Sequence, residues 1–79
     1  MHLTVRDILT AGLQDAAAAV ILVHNHPSGD PMPSHEDLEM TNRVALAGRS
    51  IGMPLVDHVI VSSTGRYSSM LDLGLLPSN

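Results

Sequence analysis

Apolar residues recur at two different periods along this chain, and each change of period marks an element. Val5, Ile8, Leu9 and Leu13 fall three and four apart, which is the spacing of one helix face. Thr4 suits the N-cap, and Asp7 three residues on gives a weaker version of a capping box. A helix is therefore predicted over residues 4–15. Residues 18–24 form a continuous apolar run centred on Val20-Ile21-Leu22-Val23, short and β-branched, which predicts a buried strand. Residues 25–33 hold three prolines, a glycine and an aspartate and predict a loop.

A second helix is expected to start at Ser34, a good N-cap, with Glu36 and Asp37 placing negative charge where the helix dipole favours it. Leu38, Thr41, Ala45 and Gly48 give this helix a face of mostly small residues, and it should end near Ser50 or Gly52. Residues 55–62, centred on Val59-Ile60-Val61, predict a second strand. Thr64-Gly65 predicts a turn, residues 66–69 a short third strand, and residues 71–76 a last turn against the core. The order is α-β-α-β-β. A strand, a helix and a strand in succession should make a right-handed crossover with the two strands parallel. The fold class is thus α/β, part of a sandwich, with the two helices expected on opposite faces of the sheet.

Composition narrows this picture. Seventy-nine residues suit one domain. Apolar residues make up 44% of the chain, but Tyr67 is the one aromatic, so the core must be built from Ala, Val, Ile, Leu and Met. Cysteine is absent, which excludes disulfides and thiolate metal sites. Any metal would need His and carboxylate ligands, of which the chain has five and eight. A net charge of −4 with no basic stripe argues against direct contact with nucleic acid. The longest apolar run is far short of a membrane span and lacks the flanks of a signal peptide, so a cytoplasmic protein is expected.

The polar residues that change the reading are His24, His26, Ser34 and Asp37. On a strand, His24 and His26 point the same way, and Asn25 the other. Ser34 and Asp37 are three apart at a helix start and share a face. The proline-stiffened loop would fold that helix start back over the histidines. Two imidazoles and a carboxylate make a three-ligand zinc set with a fourth position open to water, the mark of a catalytic site. Ser34 would stand beside the open position, able to hydrogen-bond an oxyanion or orient the water. Singly, each residue has a plainer role. His-x-His alone is weak evidence, Ser34 alone reads as an N-cap, and Asp37 alone complements the helix dipole. The combination at fixed spacing points to zinc. Asp30 reads as a turn residue, His35 as helix exterior and His2 as terminal. Asp57 and His58 face opposite sides of a strand, one toward solvent and the other able to support a ligand from behind, though both read more readily as structural.

The run His24-Asn25-His26-Pro27-Ser28-Gly29-Asp30-Pro31, followed by Pro33-Ser34 and Asp37, resembles the JAMM motif of the JAB/MPN zinc metalloproteases. Within that superfamily it resembles the bacterial RadC branch, named as DNA repair proteins. Arg6-Asp7-Ile8, Asp57-His58-Val59-Ile60 and the closing stretch of residues 69–75 are also similar to that family, so the likeness covers residues 4–76. It implies a three-layer α/β sandwich of the cytidine-deaminase-like type. It also implies zinc bound by His24, His26 and Asp37, a catalytic Ser34 at the oxyanion, and hydrolysis of peptide or isopeptide bonds by zinc-activated water.

The chain departs from the family in two places. Asp72 stands where the family usually has Glu. More seriously, the family's general acid/base Glu lies on a strand upstream of the histidines, and none of the 23 residues before His24 is Glu. Glu36 and Glu39 read as helix-surface charge instead. The chain therefore resembles a RadC domain lacking its N-terminal strands. Three functions follow as expectations: a JAMM-type metallohydrolase of a RadC-like DNA repair protein acting on a peptide or protein, a non-catalytic metal-binding or interaction module in DNA repair or recombination, or a truncated remnant. An unpaired sheet edge would leave a homodimer open to it.

Overall fold

The computed structural model describes residues 4–77. His2 lies outside them. Helix α1 spans Val5–Gln14, and its start is closed by a full capping box. Thr4 Oγ1 accepts from the Asp7 amide at 3.1 Å, and an Asp7 carboxylate oxygen accepts from the Thr4 amide at 3.1 Å. Strand β1 spans Val20–His26, helix α2 His35–Ser50, strand β2 Leu55–Ser62 and strand β3 Tyr67–Ser69. The order is as the sequence predicts.

The sheet runs β1-β2-β3, with β1 and β2 parallel and β3 antiparallel to β2. β1 runs two residues beyond the apolar block. Asn25 pairs with Val61 and His26 with Ser62. Pro27 explains the extension, because a residue before proline is held away from helical geometry and toward an extended backbone. At its start the ladder slips by one: Val20 pairs with Leu55 but Ile21 with Asp57, so the register skips Val56.

That slip decides which residues share a face. Beyond it Leu22 pairs with His58, His24 with Ile60 and His26 with Ser62, so even-numbered residues of both strands point the same way. α2 covers this face with Asp37, Thr41, Val44 and Gly48, all buried. The small core contains Val44, Met53, Ile60 and Met70. Tyr67, the one aromatic, is 66% exposed.

The two helices were expected on opposite faces of the sheet; instead α1 packs on α2. Leu9 approaches Gly48, and the Met53 thioether lies over Gly12. The odd-numbered face of β1 stays open, with Ile21 60% and Val23 70% exposed. Gly48 leaves room for the Met53 carbonyl, with Leu9 of α1 at van der Waals distance, and Gly12 leaves room for the Met53 side chain. After β3, Asp57 anchors the closing turn, accepting from Ser69 Oγ at 2.5 Å and from the Leu71 amide at 3.0 Å.

Candidate metal centre

The loop between β1 and α2 returns the start of α2 to the end of β1. Asp30 acts as the turn residue its neighbours suggest, one carboxylate oxygen accepting from the Met32 amide at 3.0 Å. Ser34 then caps α2 in a full capping box: its hydroxyl accepts from the Asp37 amide at 3.1 Å, and its own amide donates to Asp37 Oδ2 at 2.8 Å. The cap thus fixes the carboxylate as well as the helix.

Asp37 is 4% exposed and lies between both histidines. Its Oδ1 is 2.8 Å from His24 Nδ1 and its Oδ2 is 2.9 Å from His26 Nε2. One nitrogen or oxygen from each of His24, His26 and Asp37 lies within 4.8 Å of the others, a group able to hold a metal ion. Burial pushes the Asp37 carboxyl up, but hydrogen bonds from the Ser34 amide and hydroxyl, with the neighbouring His24, outweigh it and hold the carboxyl below its usual value. The group is an anion at neutral pH, able to serve as a ligand.

The donor set is suited to a cation. His26 Nδ1 lies 3.2 Å from the Asp30 carbonyl oxygen, and its Nε2 faces the Asp37 carboxylate. Both partners can only accept. A neutral imidazole has one N–H and satisfies one of them, so the other is met by a second ring proton or by a metal ion. A metal at Nε2, with Nδ1–H donating to the carbonyl, resolves this in the manner usual for metal-binding histidines. The rings of His24 and His26 meet edge to face at 4.9 Å. His24 is 48% exposed, so the cluster opens to solvent on its side. Ser34 is also exposed, and its hydroxyl accepts from the Asp37 amide.

The structure adds two residues to the site. His58 is 3% exposed and its ring stacks at 6.3 Å and 25° on that of His24. Its Nδ1 is 2.7 Å from Thr41 Oγ1, and that hydroxyl donates to the Asp37 carbonyl at 2.8 Å. Of the adjacent pair, His58 therefore faces the site, while Asp57 ties down the closing turn. The slip at Val56 makes it so; an unbroken register would turn His58 to the open face. Thr41 was legible as one helix turn beyond Asp37, but its partner was not. Glu36, Glu39 and His35 are exposed and join no metal-ligating group among the described residues.

Burial drives the His58 pKa below its ordinary 6.5. Below pH 6.5 the unfolded chain takes up a proton here that the folded chain resists. The stability this group contributes is full above that pH and is lost as pH falls toward the folded value. Thermal melts of the metal-free chain between neutral pH and about pH 5 should fall more steeply for the wild type than for His58→Asn. Parallel curves would refute the assignment.

Comparison with known proteins agrees with this site. A family model described as the RadC-like JAB domain matches residues 1–75. A UPF0758 protein of Geobacter sulfurreducens is 49% identical over 90% of this chain and 31% of its own length. UPF0758 proteins of Syntrophotalea carbinolica and Symbiobacterium thermophilum are 46% and 49% identical over 90% of the chain and 31% and 30% of theirs. The chain spans about a third of the length of these relatives. With its motif residues gathered around one carboxylate and residues 1–75 matched by the family model, the chain belongs to the RadC-like JAB domain family.

Proposed function

We propose that this chain is the zinc-binding part of a JAMM-type hydrolase acting on peptide or isopeptide bonds. The observation that carries the reading is the gathering of one ligand atom each from His24, His26 and Asp37 within 4.8 Å of one another, with the buried Asp37 carboxylate facing both rings. His24, His26 and Asp37 would hold zinc, and Ser34 would serve the reaction from the rim. Bound zinc would polarise a scissile carbonyl and lower the pKa of water to about 7. Ser34 stands exposed beside Asp37, and its hydroxyl would turn from that carboxylate to donate to an oxyanion. The Asp30 carbonyl holds His26 in the tautomer that turns Nε2 toward Asp37. The three-layer sandwich implied by the resemblance would set its further layer on the open face at Ile21 and Val23.

Among the described residues no Glu joins the cluster to serve proton transfer. Glu36 and Glu39 are exposed on α2 and stand apart from the cluster. A general acid/base contributes typically about 10²–10⁴-fold, so the chain alone should turn over weakly. This favours, as a second reading, a metal-binding module without catalysis. The DNA repair setting rests on the resemblance.

Two measurements separate these readings. Elemental analysis of the purified chain should find about one zinc per chain, lost in His24→Ala. A single-turnover assay on a ubiquitin-like or dipeptide substrate should then show slow, zinc-dependent cleavage abolished by His26→Ala. Zinc without cleavage at any enzyme level would leave the binding module, and no zinc would refute both.

A further inference from the structure

His58 is not a member of the metal-ligating group, yet it touches that group by two routes. Thr41 Oγ1 has one proton and donates it to the Asp37 carbonyl, which can only accept. The contact with His58 must therefore run the other way, from His58 Nδ1–H to Thr41 Oγ1. This fixes His58 as the Nδ1–H tautomer. Thr41 is fully buried, so water cannot replace either bond. On its other side the His58 ring lies nearly parallel to that of His24. His24 stands on β1 and Asp37 on α2, while His58 stands on β2 between them.

We infer that His58 is a positioning residue for the metal centre, linking the two elements that carry its ligands through the Thr41 hydroxyl and the stacked His24 ring. The inference rests on the metal-binding reading above. Its chemistry is that of an outer partner which holds a ligand's orientation without touching the ion. Thr41 relays the hold to the first turn of α2, where Asp37 emerges. The stacked ring limits how far His24, half open to solvent, can turn away from Asp37.

The test uses the full chain, with zinc affinity measured by chelator competition and the cobalt-loaded chain examined by its d–d absorption. Thr41→Val and His58→Ala should each weaken zinc binding roughly 10-fold or more, the scale for losing an outer partner of a metal ligand, and should shift the cobalt bands. The two substitutions break one chain of contacts, so the double variant should lose little more than the weaker single. His58→Asn should recover most of the loss, because its amide N–H leaves the side chain where Nδ1 does. Circular dichroism of the metal-free chains checks folding, and if His58→Ala is unfolded, Thr41→Val and His58→Asn carry the comparison. Folded variants with wild-type affinity and unshifted bands, or losses that multiply in the double variant, would overturn the inference while the metal reading stands. A wild-type chain that takes up neither zinc nor cobalt overturns both.

Discussion

Replacing Asp37 with asparagine should remove zinc from the chain while leaving α2 in place. Asparagine keeps an oxygen able to accept from the Ser34 amide, so the capping box persists in outline. What disappears is the charge. The Asp37 carboxylate is the one anion in the ligand group, and both histidines lean on it, at 2.8 and 2.9 Å. Without it the imidazoles hold a divalent ion by themselves, and its desolvated charge is balanced by no counter-charge in the group. The affinity loss should exceed the roughly 10–100-fold expected for an outer partner. Elemental analysis after dialysis should fall from about one zinc per chain to a trace. Retention of zinc by a folded Asp37→Asn chain would show that the carboxylate is no ligand.

The largest loss of stability is expected from Gly48→Ala. A Cβ at this position would run into the backbone carbonyl oxygen of Met53. The Met53 backbone cannot step back easily, because its amide donates to the Gly48 carbonyl at 2.7 Å. Leu9 of α1 closes the other side. Overpacking typically costs about 1–3 kcal/mol, and a clash with backbone belongs at or beyond the upper end. Each kcal/mol lowers the melting temperature of a domain this size by roughly 4–8 °C. Gly12→Ala is the informative contrast. There the new Cβ would meet the Met53 sulfur at 3.0 Å, the end of a flexible side chain that can move aside. Melting followed by far-ultraviolet circular dichroism should rank Gly48→Ala well below Gly12→Ala, and the reverse order would sink this account of the Met53 packing.

Much of the architecture was legible because it rests on local chemistry. Thr4 with Asp7 and Ser34 with Asp37 announce two helix starts, and both form full capping boxes. The parallel β1–β2 pair follows from a strand-helix-strand order. The convergence of His24, His26 and Asp37 followed from alternation on a strand and the short loop after it. What escaped depends on long-range geometry. The side taken by α1 goes with the packing of Leu9 beside Gly48 and of the Met53 side chain on Gly12, contacts that no periodicity encodes. His58 reaches the site because the ladder skips Val56, and a one-residue slip leaves no trace in the pattern of apolar residues.

The placement of Tyr67 has an optical consequence. Tyr67 is the chain's single aromatic side chain and stands two-thirds exposed on β3, opposite Val61. The buried set of Val44, Met53, Ile60 and Met70 neither absorbs in the near ultraviolet nor emits. Intrinsic fluorescence of this chain therefore reports on the short third strand and is nearly blind to the core, and an emission trace that stays flat through heating is what an intact or a melted interior would give alike.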